Sequence, residues 1–309
     1  MTLAQAPLLT NGADHSAQTF RMMIRDLARG SEGVSAGADL KVTALTVPGG
    51  AVQIGDGSGV VRGRSNAWQG HYSVYNIGTE QAAVSPTGAS GRSDMVVCRV
   101  EDPDYEGTLN PATDPINYFQ VIANVGSSAT TVPAGYSAIP LARIDIPANT
   151  GTITQAMIKD LRRIVNPRRD RQLFTVFPGS LSTLTAQDSL WHDWPVASVI
   201  VPVPAWAVNC KIVTTIAGLR LSVADVYAAM QNVLGTIQGQ DTAIDDDQGT
   251  GIRRNTVVVA DSFTVSSGMR GTNQTLHMQT YMSRLESGDL GVDTGTSIIF
   301  DVEFTEGVI

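Results

Sequence analysis

Charge is scarce in this chain. Only 16% of its 309 residues are charged, against roughly 25% in an ordinary soluble domain. Lysine is confined to Lys41, Lys159 and Lys211, and the net charge is −8. A uniformly acidic surface repels phosphate backbones, so a dedicated nucleic-acid binder is excluded. Apolar runs are short as well, and none reaches the roughly 18 residues that membrane insertion needs. The stretch 1–16 has no basic region ahead of its short apolar run and does not read as a signal peptide. Cysteine is limited to Cys98 and Cys210, expected to be reduced and in different domains.

Catalytic and metal motifs are missing too. His15, His71, His192 and His277 stand alone, with no HExxH and no CxxC, so neither a metal site nor a cofactor is expected. GxSxG and the P-loop are absent. Gly55-Asp-Gly-Ser-Gly59 is glycine-rich but lies between short strands and reads as a hairpin turn. Asp245, Asp246 and Asp247 form the strongest acidic cluster. A bent loop over 241–247 could offer their carboxylates to a hard cation, but the spacing departs from the EF-hand pattern and a solvated acidic loop is the plainer reading of the run. Glu101, Asp102 and Asp104 sit where a strand meets a Pro-containing turn. That position suits Asp turn-capping better than paired acid–base chemistry.

Glycine (30) and proline (14) are plentiful, and valine, serine and threonine are frequent. This is the composition of short strands joined by tight turns. The expected fold is mainly β with two short helices. The first helix covers about 16–29, with Ser16 as N-cap, Phe20, Ile24, Leu27 and Ala28 as its apolar stripe, and Gly30 as its stop. Period-two segments follow at 40–46, 51–54, 60–62, 71–76, 94–100, 117–122 and 139–146. A second helix is expected over 154–164, with Met157, Ile158 and Leu161 facing inward. The sequence divides best at Asn166-Pro167, giving an N-terminal α+β domain over 1–165, a basic linker over 166–172 and a C-terminal domain over 173–309. Strands expected at 173–177, 197–203, 211–216, 226–234, 256–265, 274–285 and 298–304 suggest an antiparallel β-sandwich of jelly-roll type.

Two residue groups point outward from this frame. Arg162, Arg163, Arg168, Arg169 and Arg171 crowd ten residues of an acidic chain, which suits either docking on an acidic subunit or a solvated linker. Trp191, Trp194 and Trp206 cluster early in the second domain. Trp191 and Trp194 could present a stacking platform for a glycan, while core packing is the plainer role for them.

The run Ser85-Pro-Thr-Gly-Ala-Ser-Gly-Arg-Ser-Asp-Met-Val-Val-Cys-Arg-Val-Glu-Asp-Pro-Asp-Tyr105 and the run Ile139-Pro-Leu-Ala-Arg-Ile-Asp-Ile-Pro-Ala148 through Ile158-Lys-Asp-Leu-Arg162 carry a resemblance. With the early helix, they resemble the N-terminal region of siphophage minor tail proteins from phages of actinobacteria, a region similar to the baseplate upper protein attachment domain. The resemblance covers roughly 14–165 and is looser downstream, through 224–235 and 297–304. It implies a non-enzymatic structural virion component of the tail tip or baseplate, made in the host cytoplasm and anchored to hub or distal tail subunits as a homotrimer or other homo-oligomer. It carries over no catalytic residue. Receptor binding, in which the C-terminal sandwich recognises a host cell-wall glycan, is the alternative; a tail-associated hydrolase is the third reading. On the helix reading, Phe20, Ile24, Leu27 and the five arginines are the candidate docking residues. Ile24→Asp is then expected to impair folding or subunit assembly, because it puts a charge into the apolar stripe; normal solubility with normal particle assembly would contradict that.

Overall fold

The computed structural model describes Pro7, Leu8 and residues 10–309, so part of the stretch read for a signal peptide lies outside the described residues. The chain forms two compact units, Met1–Pro167 with Gly307–Ile309, and Arg168–Glu306. Among the described residues no helix is long and apolar enough to cross a membrane.

Unit 1 opens with α1, Ala17–Leu27. Ser16 Oγ accepts the Thr19 N–H at 3.2 Å, satisfying a first-turn donor. At the other end Gly30 takes φ +73° and donates to Arg25 O at 2.8 Å, closing the last turn in the left-handed manner glycine favours. Ten strands follow. β1 (Gly33–Val34), β4 (Gly57–Arg62) and β5 (His71–Asn76) form one antiparallel sheet. β2 (Val42–Ala44), β3 (Ala51–Ile54) and β6 (Glu80–Ala83) form a second. The third runs β10-β9-β7-β8, from β7 (Arg92–Val100), β8 (Asn117–Val125), β9 (Ala138–Ile146) and β10 (Ile158–Asp160). Val96, Cys98, Leu141 and Ile144 meet Val52, Ile54 and Val61 in the main core. Met95 and Val97 pack on the other face of β7 in a smaller cluster, so β7 is buried on both sides.

Three expectations for this unit are corrected. The second helix is absent: Gln155–Met157 makes one 3-10 turn and the chain then becomes β10. Pairing decides it, because Ile158 sits opposite Ile144 and Leu161 N donates to Leu141 O at 3.0 Å. The open edge of β9 satisfies the backbone that a helix would have satisfied internally. Gly55–Gly59 closes no hairpin, since β3 and β4 belong to different sheets. Gly57 has φ +131°, and a Cβ there would lie 2.6 Å from Asp39, whose carboxylate accepts from Ala36 N and Ser58 N at 3.1 and 3.2 Å. Arg162, expected on a docking surface, has a fully buried side chain. Its guanidinium donates to Gly37 O (3.1 Å), Asp39 O (2.7 Å) and Ile309 O (3.0 Å), and pairs with Asp160 at 2.7 Å.

Unit 2 is a jelly roll. Its eight main strands are β11 (Arg169–Val176), β14 (Ser198–Pro202), β15 (Ala207–Ser222), β16 (Val226–Leu234), β18 (Thr242–Asp246), β19 (Arg253–Thr264), β20 (Asn273–Met282) and β22 (Ser297–Glu306). β12 (Ser182–Leu184), β13 (Trp191–His192), β17 (Ile237–Gln238) and β21 (Asp289–Val292) extend the sheets. One sheet pairs β11-β22-β15-β19 and the other β14-β20-β16-β18, all antiparallel. Counting the main strands in chain order, the sheets read 1-8-3-6 and 2-7-4-5, the pairing of two interlocked Greek keys. Phe300, Phe304, Ile212, Met230, Leu276 and Met278 fill the space between them. Asn232 braces the two sheets inside that core, accepting from Thr214 Oγ1 at 2.6 Å and donating to Val259 O at 3.1 Å. The expected basic linker over 166–172 proves to be largely strand, because Arg169–Gln172 extend β11 along β22.

Cys98 and Cys210 are free and buried, one in each unit, and burial pushes both thiols up to about 12. Labelling of Cys98 therefore reports the opening of unit 1. Arg162→Leu strips donors from three carbonyls at once and is expected to cost about 2–3 kcal/mol, seen as Cys98 labelling at lower urea. An unchanged Cys98 profile would contradict the role given to Arg162.

Candidate functional site

Two surfaces gather most of the outward-pointing residues, one on each unit. On unit 1 the helix is seated by a charge rather than by its apolar stripe. Arg21 is buried: it pairs with Asp102 at 3.3 Å, donates through Nε to Gln69 O at 2.8 Å and through Nη2 to Tyr105 Oη at 3.0 Å. Its guanidinium also lies 5.2 Å from the Tyr105 ring and 5.4 Å from the Tyr72 ring, within cation–π range. Tyr72 Oη donates to Asp102 at 2.7 Å; burial, with that hydrogen bond, raises the phenol far above its ordinary range.

Arg21 takes the inward position together with Ala28, which is buried, and Phe20, Met23 and Leu27 face out. Phe20 is 43% exposed, Met23 37% and Leu27 70%, while Ile24 is half-buried. Beside the helix lies a cleft of about 560 Å³ lined by Arg25, Arg62, Arg64 and His71. Arg64 is held by Glu32 at 2.5 Å. His71 is buried, and desolvation pulls its pKa below the usual value. Apolar side chains next to a cationic cleft form a surface suited to an acidic, partly apolar partner.

The basic cluster is dispersed by the fold. Arg162 is interior, as described, and Arg163 is exposed. Arg168, Arg169 and Arg171 each find a carboxylate on β22: Glu306 at 2.5 Å, Glu303 at 3.5 Å and Asp301 at 2.5 Å. Arg168 also lies 5.2 Å from the Trp206 ring. Three of the five expected docking arginines are thus engaged in a cross-strand ladder, a device that holds an edge strand.

The acidic run is a strand end rather than a loop. β18 alternation turns Asp245 outward and Asp246 inward, where Arg253 grips it through Nε at 2.8 Å and through Nη2. Asp247 is exposed. Among the described residues no group of three His, Cys, Asp or Glu is placed to hold a metal ion. Glu101 and Asp102 likewise serve structure. Tyr118 donates to Glu101 at 2.6 Å, and Asp104 N donates to Asp102 Oδ1 at 3.0 Å, the expected turn cap.

The two tryptophans part company. Trp194 is a core residue, 4% exposed, with Nε1 donating to Ser182 Oγ at 3.2 Å. It is excluded from any platform because the segment after β13 turns its indole under the sheet. Trp191 is 38% exposed and its ring centroid lies 5.9 Å from that of Tyr281. Tyr281 belongs to the outward row of β20 with Thr275, His277 and Gln279, since Leu276, Met278 and Met282 are in the core. That row went unread in the sequence. The alternation in Asn273–Met282 signals a polar face, but only strand pairing shows that it joins Trp191.

Unit 2 is thus a jelly roll, and unit 1 a β unit of three small sheets with one helix among its described residues. No family model matches the chain, and no curated protein matches its sequence. Among solved structures it is similar to the infectious bursal disease virus VP2 subviral particle, 11% identical over 92% of this chain and 86% of that chain with TM-score 0.27. Infectious bursal disease virus derived T=1 particles give 11% identity over 93% and 83%, TM-score 0.27. The insecticidal delta-endotoxin Cry8Ea1 from Bacillus thuringiensis gives 10% identity over 90% and 52%, TM-score 0.21. TM-scores of this size do not establish a shared fold, and no function passes from these proteins to this chain.

The β11–β22 ladder yields a pH prediction. Hydrogen bonds from Arg168 and Arg171 hold Glu306 and Asp301 below the usual carboxylate range. Groups depressed on folding stabilise above their unfolded pKa, near 4, and that support is lost as pH falls through the folded value. Amide protection factors over 169–176 are therefore expected to fall between about pH 5 and pH 2 in dilute salt. Arg171→Gln should remove much of that dependence; a pH-independent β11 would contradict it.

Proposed function

We propose that this protein is a non-enzymatic structural subunit of a virus particle, at the tail tip or baseplate of a phage. It docks through unit 1 on a hub or distal tail subunit and assembles as a homotrimer or other homo-oligomer. The observation that carries the reading is the inverted seating of α1. A helix fixed by a buried Arg21–Asp102 pair, with Phe20, Met23 and Leu27 left exposed, holds an apolar stripe in place for a partner to cover. Burying one such side chain is worth about 1.5–3 kcal/mol, enough to make a preformed stripe an anchor. The adjacent cleft brings Arg25, Arg62 and Arg64 together against the two carboxylates that pair with them, Asp26 and Glu32, a net positive balance that favours carboxylates on that partner. The sequence resemblance over 14–165 points the same way. The stretches that carry it include partners in the unit's ion pairs, Arg92 with Asp94 at 2.9 Å, Arg143 with Asp145 at 2.8 Å and Arg162 with Asp160.

A second reading, attachment to host cell-wall glycan through the C-terminal sandwich, is favoured by the exposed Trp191 ring beside Tyr281. The structural reading is tested by Leu27→Asp in the full chain. The variant is expected to keep its far-UV circular dichroism and thermal transition, because Leu27 has little to lose on the folded surface, yet to be missing from assembled particles. Particles carrying the variant at wild-type content would overturn the docking role of α1.

A further inference from the structure

The outward face of the β14-β20-β16-β18 sheet is unlike the rest of the surface. Core packing of Ala228, Met230 and Leu234 on β16 and of Ile244 on β18 turns Tyr227, Ala243 and Asp245 outward, with Ala229, Gln231 and Val233 on the same side of β16 but themselves buried. Strand register then sets the rows. Trp191, Tyr281, Ala229 and Ala243 lie side by side across four strands. Gln279 and Gln231 occupy the next row, one two-residue step or about 7 Å along. The two alanines leave a shallow trough. Trp191 and Tyr281 wall one side of it, and Tyr227, 46% exposed, stands at its end.

A chain of polar groups closes the trough. Gln231 Nε2 and Gln238 Nε2 donate to Gln279 Oε1 at 3.0 and 3.3 Å, and Gln279 Nε2 donates to Asp193 at 2.8 Å. His277 reaches the same Asp193 oxygen at 3.3 Å. Each amide so used keeps a donor or acceptor spare, and the chain fixes which way the amides point. No lysine or arginine is among these outward residues, whereas Asp193 and Asp245 rim them.

From this arrangement we infer that the trough is a binding site for a neutral saccharide, with Trp191 and Tyr281 as the stacking wall, Gln279 and Asp193 as the hydroxyl-reading groups, and the buried Gln231 holding the Gln279 amide in place. A pyranose ring offers an apolar C–H face and, around its edge, hydroxyls that both donate and accept. Aromatic rings meet the first, and preset side-chain amides meet the second, since an amide donates and accepts in one plane. The Asp193 and Asp245 carboxylates at the rim disfavour uronic and sialic acids. A nucleic acid is disfavoured by the same charge.

The inference deepens the host-attachment reading but does not need it to be true of cells. The test is saturation-transfer difference NMR on the full chain with methyl glucoside, methyl galactoside, methyl mannoside, methyl rhamnoside, N-acetylglucosamine and, as charged control, glucuronate. At least one neutral sugar is expected to bind saturably and glucuronate not to bind. Trp191→Ala and Gln279→Leu are each expected to weaken that binding by about tenfold or more. Trp68→Ala, on unit 1, should leave it unchanged. Trp191 sits partly exposed on a two-residue strand, so its replacement spares the core, and unchanged thermal transitions of both variants verify this. No saturable signal from any neutral sugar, or equal binding by wild type and both folded variants, overturns the site. Binding of the fluorescent full chain to intact cells is read separately: sugar binding without cell binding leaves the site standing and rejects host attachment alone.

Discussion

Unit 1 depends on arginines carried to places where water cannot follow. Arg162 is the extreme case, with four acceptors around a fully buried guanidinium. A buried cation is tolerable only when every face is answered by an oxygen, and the planar fork of arginine can answer several at once. The oxygens come from the loop before β2, from the end of β10 and from the last residue of the chain. One side chain thus ties together segments more than a hundred residues apart, including the tripeptide Gly307–Ile309 that rejoins unit 1 after the jelly roll. Lysine could not substitute, because a single ammonium has no such fork.

The same economy of charge recurs in Arg21 with Asp102, Arg92 with Asp94, Arg99 with Glu101 and Glu106, and Arg143 with Asp145. A chain with so few charges spends many of them inside or at the edge of its fold. The motif around Arg92–Tyr105 is therefore an architectural signature. Arg92 closes the turn before β7 by donating to Pro86 O at 2.9 Å and to Ser85 O. Asp94 receives Asn124 N at 3.1 Å across the β7–β8 bulge.

This spending leaves two faces whose chemistry the interior does not consume. The α1 stripe is apolar and rimmed by arginines; the jelly-roll face is aromatic, amide-rich and without cations. Their opposite characters suit different partners, a protein surface for the first and a polyhydroxylated ligand for the second. In unit 2 the outward face owes its order to the interior. Asn232 pins β16 to β15 and β19 through Thr214 and Val259. Gly218, at φ +79°, lets β15 bulge where a Cβ would strike Gly295 O at 2.6 Å.

Periodicity made the strands legible, because alternation of apolar residues is a local property that no partner has to supply. The jelly-roll expectation, the strand at Val226–Leu234 and the capped helix beginning at Ser16 all rest on it. Composition likewise determined a β-rich, turn-dense chain. What alternation could not say is which edge a strand meets. Ile158 reads as part of a helical stripe, and the open edge of β9 made it strand. Arg21 was readable as a solvated face of α1, and the Asp102 carboxylate, 81 positions on, drew it inward and turned Phe20 and Leu27 to the surface. Trp191 and Trp194, three residues apart, were alike in sequence; the turn between them sent one to the surface beside Tyr281 and the other into the core. Local pattern is written residue by residue, whereas pairing, burial of charge and the company a side chain keeps are settled only when distant segments compete for the same space.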